Sequence, residues 1–259
     1  MSHEADLNIA ARKFSAVYPV MDNADLRRTR GLKIAAILKE ALAGKPIQTL
    51  LDIGCSNSLV LDTVTEVLGP RYALGIDMDS AVAPSPSAIR GLVIGDAMQL
   101  PFPAACVDVV ICNHTYEHVP KADQLFVEID RVLVPDGIVY FSAMNARWPI
   151  EPHYHLPLLH WMPRWISSKL LKRCGFSAGY LEKPLSTPKL KALVSAFEID
   201  DYTLKVITAP ERYHAADIVK RSAFSGLYRI IAEMFYGFLP GYLWILRKPA
   251  NRRGIGSNV

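Results

Sequence analysis

The stretch Thr49-Leu-Leu-Asp-Ile-Gly-Cys-Ser-Asn-Ser58 decides the fold. Its first five residues are a short apolar run, and it ends in a turn of small residues ahead of the amphipathic segment 58–68. That order predicts strand, turn and helix. A turn built from small residues lets backbone approach a ligand with no Cβ in the way. Working outward, apolar runs recur at 72–76, 91–94, 107–112 and 138–142, with a helical pattern over 121–134 closed by Pro135-Asp-Gly137. Continuous apolar strands alternating with helices predict a parallel sheet covered on both faces. Upstream, apolar positions fall at helical spacing in Leu32-Lys-Ile-Ala-Ala-Ile-Leu-Lys-Glu-Ala-Leu42, so residues 7–44 read as helical, stopped by Gly44-Lys-Pro46.

Beyond residue 143 the alternation breaks. Residues 145–176 are rich in Pro, His, Trp and Tyr. A helix is predicted over 188–197, a strand over 202–207, further helix over 211–238 and a last strand over 242–246. The polar, Gly-containing end 249–259 reads as a frayed tail. The 259 residues are half apolar and one-fifth charged, which fits a folded α/β chain and excludes a disordered or collagen-like one. Charge is uneven. Residues 1–150 carry 13 Lys and Arg against 17 Asp and Glu, and residues 151–259 carry 16 against 8. Four cysteines lack zinc-finger or CxxC spacing and read as small apolar side chains in a reducing compartment. With no visible signal segment and no spanning run, a cytoplasmic location is expected.

Three acids stand at successive strand ends. Asp52 precedes the Gly54-Cys55-Ser56 turn, Asp77 ends the second strand, and Asp96-Ala97 follows the third. In open parallel sheets ligands bind beyond the carboxyl ends of the strands, where an acid can accept both hydroxyls of a ribose. Acids in register suit a neutral or cationic adenosine better than a phosphorylated one. The turn has only Gly54 and is not GxGxxG, which argues against a nicotinamide dinucleotide.

Together with Leu51-Asp-Ile-Gly-Cys55, Gly75-Ile-Asp77, Gly95-Asp-Ala97, Leu100-Pro-Phe102, Val107-Asp108, Glu117-His118 and Glu128-Ile-Asp-Arg131-Val-Leu-Val-Pro135-Asp-Gly137, these residues make a pattern over 48–143. The pattern resembles the class I S-adenosylmethionine-dependent methyltransferases, in their small-molecule (methyltransferase type 11-like) subgroup. The resemblance implies one α/β domain over 1–259: a Rossmann-like, doubly wound, seven-stranded sheet, mostly parallel with the last strand antiparallel. N-terminal helices would fill 1–46, the cofactor core 47–143 and a helical substrate lid 144–187. The rest of the sheet would fill 188–248, with a helical insert at 211–239 before the last strand.

The resemblance also implies the cofactor, S-adenosyl-L-methionine. Asp52 and Gly54 would hold its methionine end, Asp77 its ribose, Asp96 and Ala97 would border its adenine, Asn113 would lie beside the sulfonium, and Cys55, Ser56 and Met78 would complete the cofactor-binding set. Ser56 and Ser58 depart from the family's usual glycines. A hydroxyl acceptor needs a proton acceptor, for which histidine is suited. His118, in the loop after the fourth strand, is one candidate. His153 and His155, in Glu151-Pro-His-Tyr-His155, are the others, with His160 nearby. No metal is expected, because no Cys or acid at ligand spacing completes a site with His153 and His155. Trp148, Tyr154, Trp161 and Trp165 either line an acceptor pocket or pack the lid.

The expected acceptor is a small molecule, a glycan or a lipid-linked metabolite. The basic, aromatic-rich insert either packs as an ordinary helix or forms lid, subunit contact or peripheral membrane contact. Nucleic acid is not expected, since no dense Lys/Arg stripe is present. A non-catalytic S-adenosylmethionine-binding protein of the same fold is the alternative function.

Overall fold

The computed structural model describes residues 23–79, 91–176, 179–216 and 225–250. The first described element is helix α1 (Ala24–Leu42). Asn23 caps it, its side-chain oxygen accepting from the N–H groups of Asp25 and Leu26. The helix ends at Ala43 in the left-handed region, with Gly44 following at φ 85°. The decisive stretch folds as its sequence predicts: β1 (Thr49–Ile53), a turn, and α2 (Leu59–Leu68). Then come β2 (Tyr72–Asp77), β3 (Gly91–Ile94), β4 (Val107–Asn113), α3 (Ala122–Val132) and β5 (Leu133–Met144).

A two-stranded hairpin, β6 (Ile150–Glu151) and β7 (Leu156–Pro157), opens the next region, followed by α4 (Arg164–Arg173) and α5 (Thr187–Leu193). The chain returns to the sheet in β8 (Glu198–Asp201), then α6 (Thr203–Thr208), α7 (Ser225–Met234) and β9 (Gly241–Arg247). The segment expected to form a helical lid, 144–187, is thus part hairpin and part helix. The expected helices before residue 23, part of the 211–239 insert and the 249–259 tail lie largely outside the described residues.

The main sheet has seven strands in the order β3-β2-β1-β4-β5-β9-β8. The pairs from β3 through β5 are parallel, and β9 runs antiparallel to both β5 and β8. Because side chains alternate across a strand, neighbours on β1 serve opposite layers. Leu51 and Ile53 pack with Leu125, Phe126 and Ile129 of α3, while Leu50 packs with Ile34, Ile37 and Leu38 of α1 and Leu61 of α2. Close contact of α1 and α2 requires Gly31, where an added Cβ would lie 2.6 Å from Cβ of Thr63.

One strand is corrected. The expected strand over 202–207 is helix α6, and the strand lies just before it at Glu198–Asp201. Tyr202 and Val206 are buried at helical spacing, and Oδ1 of Asp201 accepts from the N–H of Thr203 at 2.8 Å to start the turn. Polar β8 escaped notice because it pairs with one neighbour only, at the edge of the sheet. Among the described residues, no helix is long and apolar enough to cross a membrane.

Candidate active site

The topology reverses beside β1: β2 and β3 extend to one side, and β4 and β5 to the other. The carboxyl ends of these strands therefore meet at a switch point, the usual ligand crevice of such sheets. Gly54 turns the chain there at φ 77°, and a Cβ on it would lie 2.9 Å from Oγ1 of Thr115. That hydroxyl donates to the carbonyl of Ile53 at 2.8 Å, tying the β1 turn to the β4 loop. Ser56 and Ser58 also take positive φ, 49° and 61°, a conformation that favours glycine and is held here by neighbours.

One of those neighbours is Asp77. Its Oδ2 accepts from the N–H of Ser56 at 2.8 Å and its Oδ1 from the N–H of Asp79 at 2.9 Å. Met78 lies between, half-buried. Asp52 is 3% exposed. Burial first, and the charge of Asp77 second, push its carboxyl up to about 7, with Arg27 opposing. The same burial and the two acids raise the thiol of Cys55. Asp96 accepts from the N–H of Met98 at 2.8 Å, and Ala97 is buried beside it. Asn113 ends β4 opposite Ser142 of β5. Sequence reasoning missed Arg27, whose guanidinium reaches from α1 to Oγ of Ser56 at 3.3 Å. No local motif announces it, because a helix well upstream delivers it.

The β4 loop holds a second group. His114, at φ 54°, places Nε2 at 2.9 Å from Oγ of Ser142 and Nδ1 at 3.2 Å from Oε1 of Glu117. Glu117 is fully buried, and among the described residues its Oε2 has no hydrogen-bond partner. Burial is the largest influence and works against its charge, but the hydrogen bond from His114, the nearby His114 and His118 and a backbone hydrogen bond together outweigh it and lower its pKa. Burial lowers His114 and brings His118 down to about 4, with Glu117 opposing in both.

The β6–β7 hairpin, in the segment expected as the lid, reaches into this group. Glu151, fully buried, sits with Oε1 at 2.9 Å from Nδ1 of His153, and its Oε2 accepts from the N–H of Tyr154 at 2.7 Å. Burial, the largest influence, opposes charging of His153, but Glu151 together with Glu182 and Glu117 outweighs it, so its pKa rises. The rings of His118 and His153 meet edge to face, 5.3 Å between centroids. One donor atom each from Glu117, His118 and His153 lie within 4.8 Å of one another. Of the three candidate histidines, the fold brings together His118 and His153. His155 is exposed in the hairpin turn at φ 54°. His160 faces the carbonyl of Ala146 at 3.1 Å. Tyr154 packs with Leu159, Leu171 and Tyr180 in a small core of the lid's own, while Trp161 and Trp165 are exposed.

A cleft of about 450 Å³ opens at the opposite, amino-terminal edge of the sheet, lined by Lys39, Lys45, Gln48, Gly69 and Arg71 among others. It is remote from the strand-end acids, on the edge where such sheets do not bind their ligands.

Comparison with known proteins agrees with this fold. The family described as "Methyltransferase domain" matches residues 51–141. A demethylmenaquinone methyltransferase of Lactobacillus johnsonii is 33% identical over 112 residues, 39% of this chain and 45% of that protein. A fatty-acid O-methyltransferase of Mycolicibacterium smegmatis is 31% identical over 113 residues, 42% of this chain and 39% of that protein. The chain spans about half the length of the curated relatives it matches. In fold, it is similar to the 1,6-didemethyltoxoflavin-N1-methyltransferase of Burkholderia thailandensis, solved with S-adenosylhomocysteine. The TM-score is 0.57 at 15% identity, covering 96% of this chain and 91% of that one. Over residues 51–141 the chain is therefore similar to the methyltransferase domain family, and its sheet has the Rossmann-like fold of such enzymes.

Proposed function

We propose that the protein transfers the methyl group of S-adenosylmethionine to a hydroxyl oxygen of a lipid-linked or otherwise apolar metabolite. The observation that carries the cofactor is the set of strand-end acids Asp52, Asp77 and Asp96 around the Gly54 turn. The cradle fits the molecule. A side chain at residue 54 would strike Thr115, so backbone alone borders the ligand there. Asp52 beside Arg27 offers both signs of charge to the zwitterionic methionine end, and Asp77 keeps lone pairs for the ribose hydroxyls. Asp96 and Ala97 border the adenine, and Asn113 lies beside the sulfonium.

When bound, the cofactor supplies an already activated methyl group. The chain's own task is to align the acceptor in line behind it and exclude water, effects that contribute on the order of 7–11 kcal/mol in well-oriented reactions. The acceptor's hydroxyl would be held at the cluster of Glu117, His118 and His153, and its proton would leave from there to water as the methyl group is transferred. The lipid-linked class is supported by exposed apolar side chains in two places. Trp161 and Trp165 stand out from the lid, and Ile230, Ile231 and Met234 from α7 with Phe235 just after it, Met234 being 73% exposed. The fatty-acid acceptor in the name of the Mycolicibacterium relative agrees.

Isotope transfer tests this reading. Label from methyl-labelled S-adenosylmethionine is expected to enter hydroxylated lipids presented in vesicles or micelles, and Trp165→Ala with Met234→Ala lowers that rate several-fold. Equal transfer to water-soluble acceptors, untouched by the two substitutions, contradicts the lipid assignment. No transfer to any acceptor, with cofactor binding intact, favours a non-catalytic role.

A pH dependence follows from Asp52. Its carboxyl, with a pKa of about 7, must ionise to meet the cofactor's ammonium group. Ionisation is nearly complete at pH 8 and roughly a tenth complete at pH 6, so binding is expected to weaken about tenfold on acidification. Calorimetry in buffers of different ionisation enthalpy should register proton release near pH 6. Asp52→Asn should bind weakly at both pH values. An unchanged pH slope in that variant would refute the assignment.

A further inference from the structure

We infer that Glu117, His118 and His153 form a site for a divalent transition metal of the zinc class, placed between the β4 loop and the lid. Three features carry this. First, one donor atom from each residue falls within 4.8 Å of the others. Ligands bound at about 2.1 Å around one tetrahedral ion stand about 3.4 Å apart, so closure by roughly an ångström completes the set. Second, Oε2 of Glu117 is buried with no hydrogen-bond partner among the described residues, while its other oxygen is occupied by His114. A buried carboxylate oxygen in that state is costly unless something binds it. Third, the outer layer is already in place. Nδ1 of His153 faces Oε1 of Glu151 at 2.9 Å, which leaves Nε2 as the ligating nitrogen. A carboxylate on the far nitrogen of a metal-bound histidine is the common supporting contact, and it fixes tautomer and ring direction. The line from Oγ of Ser142 through His114 to Oε1 fixes Glu117 in the same way.

Two histidines and one glutamate are a donor set used by catalytic zinc, which leaves a fourth position open. The role of the ion rests on the proposed methyl transfer, while its presence does not. The open position takes the acceptor oxygen, and the ion as Lewis acid eases loss of the hydroxyl proton to bulk water as the oxygen–carbon bond forms and the carbon–sulfur bond breaks. Sequence spacing hid the site, because His153 belongs to the lid and its partners to the β4 loop.

The test uses the full chain, stripped with a chelator and titrated with Co²⁺ and then Zn²⁺. One equivalent of Co²⁺ is expected to give the visible absorption of a four-coordinate site, lost on adding one equivalent of Zn²⁺. His118→Ala and Glu117→Gln should abolish the absorption, with circular dichroism reporting that each variant folds. Glu151→Gln should keep it with affinity lowered about 10–100-fold. No uptake at one equivalent, or an unchanged spectrum in both ligand variants, overturns the inference. Calorimetry of the stripped protein with S-adenosylmethionine separates the two readings. Cofactor binding without metal uptake overturns the metal site alone, and metal uptake without cofactor binding overturns the methyltransferase reading alone.

Discussion

Asp77→Ala is expected to weaken S-adenosylmethionine binding by about 100-fold or more while the sheet stays folded. Asp77 closes β2, and its two oxygens already accept from the N–H groups of Ser56 and Asp79. An ionised carboxylate has about four acceptor positions, so two remain for the ribose hydroxyls. Hydrogen bonds to a charged group contribute about 1.5–3 kcal/mol each, and losing two costs about 3 kcal/mol or more, which is at least 100-fold in affinity. The substitution also releases Ser56, held at φ 49° by that carboxylate. Asp77→Asn keeps one acceptor oxygen and should lose less. Isothermal calorimetry gives the affinities, and circular dichroism checks the fold. Binding within a few-fold of the unsubstituted protein would remove Asp77 from the ribose site.

Glu151→Ala should unfasten the lid. Its carboxylate is fully buried between Nδ1 of His153 and the N–H of Tyr154. Removing one partner of a buried pair costs about 3–5 kcal/mol, since the other charge and an amide donor are left without compensation. That loss falls on a region whose own core is only Tyr154, Leu159, Leu171 and Tyr180, with Leu156, Leu170 and Phe176 beside it. The lid should therefore open before the sheet does. Hydrogen exchange is expected to speed up by at least 100-fold over 150–176, with α3 and the central strands unchanged. Glu151→Gln, which can still accept from Tyr154, should open less. Exchange unchanged in the lid would show that its packing, and not this pair, holds it down.

Much of this was legible in the sequence because it is local. Continuous apolar runs with turn residues at their ends fixed the parallel strands, and acids at or near the ends of β1, β2 and β3 pointed to the side where the cofactor is expected. The edge strand was not legible. Glu198-Ile-Asp-Asp201 carries no apolar signal, since it pairs on one side only, while the β-branched residues of 203–208 imitate a strand and fold as α6. The acidic first half and basic second half correspond to the strand-end acids and to the lid and insert that would meet the acceptor. What stayed hidden was produced by tertiary pairing. Arg27 arrives from α1, and the Glu117–His118–His153 group forms only when the lid meets the β4 loop. Glu151 and His153 are near neighbours in sequence, yet their pairing depends on the turn of the β6–β7 hairpin.

Nuclear Overhauser contacts from S-adenosylmethionine carrying a ¹³C-methyl group test the central claim most directly, because they report where the cofactor lies and which way its methyl points. The account predicts contacts from the ribose to Met78 and the β2 end, and from the methyl group to Asn113 and His114 at the end of β4. Contacts at the opposite edge, around Lys45 and Arg71, or no bound cofactor at all, would contradict it.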